Sequence, residues 1–367
     1  MSFRAPCRPA VAGLFVLTFG LLAACLQADA VPPSSSGFRD GLPLDTFHLG
    51  GTNTLTIDFV AFPASANPGS PFFCRLTNGV TRVGAVPYAF RLSRNVLSQG
   101  QVKALQAAHL PELAWLPTEA SAYPDHRMDW GDDRPAMHFN HYMRMHLVNW
   151  LNRQKGFHDA YRFDADGQWQ LWEVAESWQL DGRTNRYRHK DCFYFLPSLD
   201  EFHKALYWDP VRRRYWKYPF GSDQPPRAVP RGQAPGTLVV GQAYDLGPAP
   251  IDQAGGATLN GLRGIGNVWN ALETSISLVN RGTSNDDWIM VRGSKWWFKA
   301  GACRADRFDF ERPLGYRRSK PPYGDPVNDS NGVRLASRMP SGRGRRRPDR
   351  VGDGGRRPAP RSGSNHS

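Results

Sequence analysis

The sequence is poor in sulfur. Its 367 residues hold five cysteines, at positions 7, 25, 74, 192 and 303. They form no C-x-x-C and no zinc-type spacing, and the three that follow the leader region permit at most one intramolecular disulfide, so a disulfide framework is excluded. No internal repeat recurs at solenoid or propeller periods. After residue 30 no run is long and apolar enough to cross a bilayer. Charged residues make up only 22% and hydrophobic ones 40%, which excludes global disorder and allows a sizeable core.

Twelve tryptophans and thirty prolines are present, a combination that predicts irregular connections pinned by rings rather than a bundle or a sandwich. The net charge of +13 suggests nucleic acid until it is mapped. Nine arginines face only Asp349 and Asp353 between residues 338 and 367, giving that segment +7; Arg4 and Arg8 carry a further +2, which leaves +4 for residues 26–337. A nearly balanced body does not predict a basic groove, and no specific nucleic-acid partner is expected.

Residues 1–30 read as an export signal: Arg4 and Arg8, then the apolar stretch Val11 to Ala24, then Ala28-Asp29-Ala30 as a small-x-small cleavage site. Leu22-Ala23-Ala24-Cys25 also fits a lipoprotein box with lipidation at Cys25, which would be the only route to a membrane. The expected location is extracytoplasmic: periplasmic, secreted or lipid-anchored. Residues 31–45 read as a Pro/Ser-rich linker, 46–337 as one domain, and 338–367 as an Arg-rich disordered tail.

Within the body, Thr54 to Phe62 and Ala85 to Leu92 are rich in β-formers and predict two strands. Gln99 to Leu110, stopped by Pro111, and His141 to Asn152 predict helices. A third helix is expected after Pro197, with Ser198 as N-cap and Glu201 closing a capping box. Asp209 to Gly264 is punctuated by Gly, Pro and Asp and predicts a long irregular region held by Trp208, Tyr215, Trp216 and Tyr218.

Ile57-Asp58-Phe59-Val60, Gly84 to Leu92, Asn149-Trp150-Leu151-Asn152, Tyr194 to Phe202, Tyr215 to Pro219, Asp252 to Gly256, Gly266-Asn267-Val268-Trp269, Arg292-Gly293 with Trp296, and Gly332-Val333-Arg334-Leu335 occur in that order. Together they resemble the stations of the formylglycine-generating (sulfatase-modifying factor) family. Pro197, Glu201, Gly266, Asn267, Trp269, Arg292, Gly293 and Trp296 carry the signatures. The fold this implies is an α+β, irregular C-type-lectin-like one with little regular secondary structure.

The resemblance also implies copper(I) held by two cysteines and an oxygen-dependent oxidation of a substrate cysteine. Soft thiolates suit copper(I). Aligned on Arg292 and Trp296, the two cysteine positions fall on Phe298 and Cys303, so the pair is broken and Cys192 is the other candidate partner. The family's G-K-Y-E-V-T stretch is here Ser93 to Ser98, its W-x-D-A is His141-Tyr142-Met143-Arg144, and its R-G-G-S-W is Arg292-Gly293-Ser294-Lys295-Trp296. The acid that follows G-N-V-W in relatives, in a loop able to hold calcium, is Asn270; Asn267 and Val268 remain as candidate calcium ligands.

Each signal has a simpler reading beside it. Cys303 reads as a small buried hydrophobe or a residual redox thiol; Asp200 and Glu201 as an ordinary helix first turn. His138, His141 and His146 lack the geometry of a metal cluster. Trp296 and Trp297 line a groove or point to opposite sides. The tail binds an anionic surface or is simply solvated. The functional expectation is a non-catalytic binding or interaction module for a protein or cell-surface ligand; the alternative is a copper-dependent formylglycine-generating oxidoreductase.

Overall fold

The computed structural model describes residues 39–74, 81–108, 130–137, 139, 141–167, 169–180, 183–275, 289–307, 309–311 and 331–340. The leader, most of the linker and residues 341–367 of the tail lie outside them, as do His138, Leu110 and Pro111. The architecture is mixed α+β, with few helices and many short strands.

Helix α1, Gln99–Ala107, opens on a capping box: Gln101 N donates to Ser98 Oγ at 3.2 Å and Ser98 N to Gln101 Oε1 at 2.9 Å. It buries Val102 and Leu105. Helix α2, His141–Gln154, is buried on nearly every side, so its polar residues must find partners within the protein. Asn149 clasps Tyr161, donating to its carbonyl at 2.7 Å and accepting from its N–H at 2.9 Å. Asn152 accepts from the N–H groups of Phe193 and Tyr194, both at 2.9 Å, and donates to Tyr194 O at 2.8 Å. The Asn-Trp-Leu-Asn motif therefore works as a backbone clamp, with Trp150 and Leu151 filling the core between the two amides. Helix α3, Leu199–Tyr207, has the predicted Ser198–Glu201 capping box and buries Leu199, Phe202, Ala205 and Leu206.

Two four-stranded sheets frame these helices. In the first, the order is Tyr194–Phe195, Ala336–Arg338, Phe90–Ser93, Phe59–Phe62, antiparallel throughout, with Ala336 opposite both Phe195 and Leu92. In the second, Asp309–Glu311, Ile289–Arg292 and Trp269–Ser275 pair antiparallel, and Asn331–Gly332 joins Trp269–Ser275 in parallel.

The expected first strand is in fact two. Thr54–Thr56 pairs with Thr46–His48, and Phe59–Phe62 belongs to the first sheet. The expected second strand is ladder-paired only over Phe90–Ser93; residues 85–89, interrupted by Pro87, lie outside the ladder. Between Asp209 and Gly264 only short pairings and one 3-10 turn, Tyr244–Leu246, interrupt the loops, as predicted, and Trp216 Nε1 donates to Asp209 at 3.1 Å. The end of the expected linker is part of the body: Lys155 pairs with Asp40 at 2.7 Å, and Arg91 grips Asp45 through two bonds of 2.6 and 2.9 Å.

Candidate functional site

Three segments bring charge into the core. Arg188 comes from the Arg183–His189 strand, Glu201 from the first turn of α3 and Glu273 from the Trp269–Ser275 strand; all three side chains are fully buried. Arg188 donates Nη1 to Glu201 Oε1 at 2.9 Å and Nη2 to Glu201 Oε2 at 2.7 Å. Its Nε lies 3.0 and 3.1 Å from the two oxygens of Glu273, and Nη2 also donates to Glu273. Phe195 covers the guanidinium at 3.7 Å.

The outer ring completes the accounting of lone pairs. Tyr88 OH donates to Glu201 at 2.6 Å and Ser198 N at 2.8 Å; Asn185 Nδ2 donates to Glu273 at 2.6 Å and Tyr161 OH at 3.1 Å. Two carboxylates share one guanidinium. Burial raises both acids, but for Glu201 the charge and hydrogen bonds of Arg188, with Tyr88 and Ser198, turn the net shift downward. For Glu273 burial prevails, and the repulsion of Glu201 adds to it, so its carboxyl stands above its usual range. Burial and the neighbouring Glu201 also push the Tyr88 phenol up, keeping it neutral and donating.

Above this cluster lies a cavity of about 260 Å³. Tyr88 and Asn185, the two residues bonded to the buried acids, form part of its lining. Ala85, Val86 and Pro87 supply an apolar wall, Trp178 and Tyr187 rings, and Thr184, Ser198, Asp200 and Thr274 polar atoms. The wall is fixed from below: Asp200 accepts from Gly84 N at 2.7 Å, and Tyr215 OH donates to Gly84 O at 2.7 Å. Gly84 has φ +92°, and a Cβ there would stand 2.8 Å from the Tyr215 hydroxyl, so glycine is required. Glu201 and Asp200 are thus helix first-turn residues, as the simpler reading expected, yet Glu201 also joins the charge cluster. Nothing in their spacing links positions 188, 201 and 273. The one signal was an acid, Glu273, inside the otherwise uncharged strand Trp269–Ser275.

The positions carried over from the resemblance lie elsewhere. Cys303 ends a short 3-10 turn, Ala300–Cys303, and is buried; its Sγ donates to Ala300 O at 3.0 Å, and burial pushes the thiol up to about 12. Phe298 sets its ring edge-on to Trp269, with centroids 5.2 Å apart. Lys295 lies over Trp269 at 3.9 Å. Trp296 is buried and stacked on Tyr244, whereas Trp297 is half-buried. Cys192 is also buried, with its thiol pushed up to about 12 by burial. Its charged neighbours are Arg188, Arg338, Glu273 and Glu201, while that of Cys303 is Arg292. Both thiols are free. Two fully buried thiols with different neighbours do not offer copper(I) an accessible pair of sulfurs.

The candidate calcium ligands do not fit that ion either. Asn267 spends its amide on Ala249, accepting from its N–H at 2.7 Å and donating to its carbonyl at 2.8 Å. The Val268 carbonyl accepts from Asn270 Nδ2 at 3.3 Å. Asn270 Oδ1 is held by Arg334 Nε at 2.6 Å, so a guanidinium stands beside the position where the resemblance implied an acid. Three other signature residues make packing and backbone contacts. Arg292 Nη1 donates to Arg307 O at 2.6 Å, Pro197 O accepts from Glu273 N at 3.0 Å, and a Cβ on Gly266 (φ +95°) would meet Leu238 at 2.5 Å. His141 is buried and pushed down to about 3 by burial and Arg144, and His146 down to about 4 by burial and Arg153. Among the described residues no three His, Cys, Asp or Glu side chains are grouped to hold a metal.

No family model and no curated protein matches the chain. Among solved structures it is similar to CarF, with a TM-score of 0.49 and 16% identity over 77% of this chain and 98% of that one. It is also similar to Treponema denticola variable protein 1, with 0.47 and 15% over 81% and 100%. PvdO from Pseudomonas aeruginosa gives 0.41 and 14% over 81% and 99%.

Proposed function

We propose that this chain is an exported, non-catalytic binding module of the formylglycine-generating type, with a C-type-lectin-like fold, and that its site is the cavity above Arg188, Glu201 and Glu273. The family assignment is supported by the ordered motifs and by the mixed architecture they meet. The observation that carries the non-catalytic reading is the setting of Cys303: a thiol with no exposed surface, bonded to the Ala300 carbonyl, with Phe298 where the resemblance calls for a second sulfur. The binding reading is supported by the placement of the cavity. Tyr88, Asn185, Ser198, Asp200 and Thr274 are each tied by hydrogen bonds to the residues behind them, so those side chains need little further ordering.

Copper(I) competition against a chelator, with Cys303→Ala as control, tests the proposal. No binding beyond that of the variant is expected. Tight stoichiometric binding lost in the variant would overturn the reading and restore the oxidoreductase.

A further inference from the structure

The ionic groups around the cavity are matched inside the protein. Arg188 is shared between Glu201 and Glu273, and Lys204 Nζ donates to the Val86 carbonyl at 2.5 Å and faces Glu201. Arg338, on the Trp178 ring at 4.4 Å, is bonded to the Lys190 carbonyl. Asp200, the one charged residue of the lining, is engaged by the Gly84 N–H at 2.7 Å. Arg188, Lys204 and Arg338 thus stand against Glu201, Glu273 and Asp200, and the N-terminus of α3 adds only roughly half a charge. The site has no strong field of either sign.

What the lining leaves unspent is hydroxyl. Ser198 Oγ accepts from Glu201 N at 3.2 Å and Thr274 Oγ1 from Leu199 N at 2.9 Å, and each oxygen keeps its own hydrogen and a second lone pair. Thr184, exposed in the lining, adds a third hydroxyl. Asn185 spends one amide hydrogen on Glu273 and takes Tyr187 N at 3.0 Å, which leaves its second amide hydrogen. Groups that both donate and accept are matched by groups that do the same, which are hydroxyls. A carboxylate would bring only acceptors beside Asp200, an ammonium only donors, and an apolar ligand would strand all of these side chains. Pro87 and the Tyr88 and Trp178 rings, with centroids 5.5 Å apart, suit C–H groups. A ligand with hydroxyls round its edge and C–H groups on its faces is a sugar ring. The 260 Å³ of space, about nine water molecules in volume, is the scale of one such ring.

Resting on the reading of this cavity as the binding site, we infer that it takes a single neutral sugar ring, its hydroxyls on Thr184, Asn185, Ser198 and Thr274 and its C–H groups on Pro87, Tyr88 and Trp178. The lining holds one carboxylate and no His or Cys, so the contact is direct and needs no metal.

The test is saturation-transfer NMR titration of the purified full chain at neutral pH, with and without EDTA. The probes are the methyl glycosides of glucose, galactose, mannose and N-acetylglucosamine. Glucuronate, glucosamine and cyclohexanol serve as anionic, cationic and single-hydroxyl counterparts. At least one glycoside is expected to bind about tenfold more tightly than every counterpart, and equally well in EDTA. Thr184→Val, which trims an exposed hydroxyl, is expected to lose about fivefold in affinity with its melting temperature unchanged. A counterpart that binds as well as the glycosides, loss of binding in EDTA, or binding untouched by Thr184→Val would each overturn the inference. Binding of none of the glycosides would overturn it too, and a fragment screen then separates the two readings. Hits weakened by Thr184→Val would keep the cavity as a site for another ligand, and their absence would sink the site itself.

Discussion

Arg188 and Glu201 meet as two parallel contacts, Nη1 to Oε1 at 2.9 Å and Nη2 to Oε2 at 2.7 Å, with neither side chain exposed. Such a pair contributes little over a hydrophobic replacement, but deleting one partner strands the other. Arg188→Met would strand two carboxylates, Glu201 and Glu273, and is expected to cost about 3–5 kcal/mol. Urea denaturation at neutral pH measures this. Adding Glu273→Gln to that variant should restore part of the loss, since one stranded charge is gone; strict additivity of the two changes would refute the coupling.

Glu273 sets a pH dependence of its own. Its carboxyl stands above the 4.5 of an unburied glutamate, through burial and then the repulsion of Glu201, against the pull of Arg188 and Asn185; Tyr161 also faces it. Between 4.5 and its folded value the native state holds the extra proton, so this contribution is fully present below 4.5 and is lost as pH rises through that window. Glu201, shifted downward, acts oppositely: its contribution is present above 4.5 and is lost on acidification. Glu273→Gln removes the first window alone. Denaturation midpoints at several pH values should show the variant gaining on the parent as pH rises above 4.5, and a flat difference would contradict the assignment.

Ser294 sits in the left-handed region of backbone space, where glycine is at ease. It is buried, has φ +74°, and its hydroxyl finds no hydrogen-bond partner. A left-handed conformation costs an L-residue about 1–2 kcal/mol, and the orphaned hydroxyl adds to that. Glycine loses more chain entropy on folding but avoids both penalties. Ser294→Gly is therefore expected to stabilise the protein by about 1 kcal/mol, read from chemical denaturation; a destabilised variant would show that the serine has a partner.

The two buried thiols should be silent. Cys192 and Cys303 both have thiols pushed up to about 12 by burial, and they are the cysteines left in a chain carrying Cys7→Ser, Cys25→Ser and Cys74→Ser. Neither is expected to react with an aromatic disulfide reagent at mildly alkaline pH until denaturant is added, when both should titrate. Rapid labelling of Cys303 in the native protein would revive a redox role.

The sequence announced its local structure well. Ser198 with Glu201 marked α3, the apolar spacing from His141 to Asn152 marked α2, which runs two residues further to Gln154, and the run from Asp209 to Gly264 is as irregular as its glycines and prolines predict. Long-range partnerships were not legible. Arg188, Glu201 and Glu273 come from three separate elements, and no spacing rule relates them. Asn149 and Asn152 were visible as a motif, but their role as a clamp on Tyr161 and Tyr194 needs the fold.

The place of Ala336–Arg338 in the first sheet bears on synthesis. This late strand is interior, lying between Phe90–Ser93 and Tyr194–Phe195. Roughly 240 residues separate Ser93 from its partner strand, on the order of 10–50 s of elongation at ordinary ribosomal rates. During that interval Phe90–Ser93 has one bare edge, and the half-built sheet cannot lock. The nascent chain stays pliable until residue 338 has emerged, a state suited to threading and equally open to mispairing. Whatever accompanies it in the cell has that open strand edge to guard.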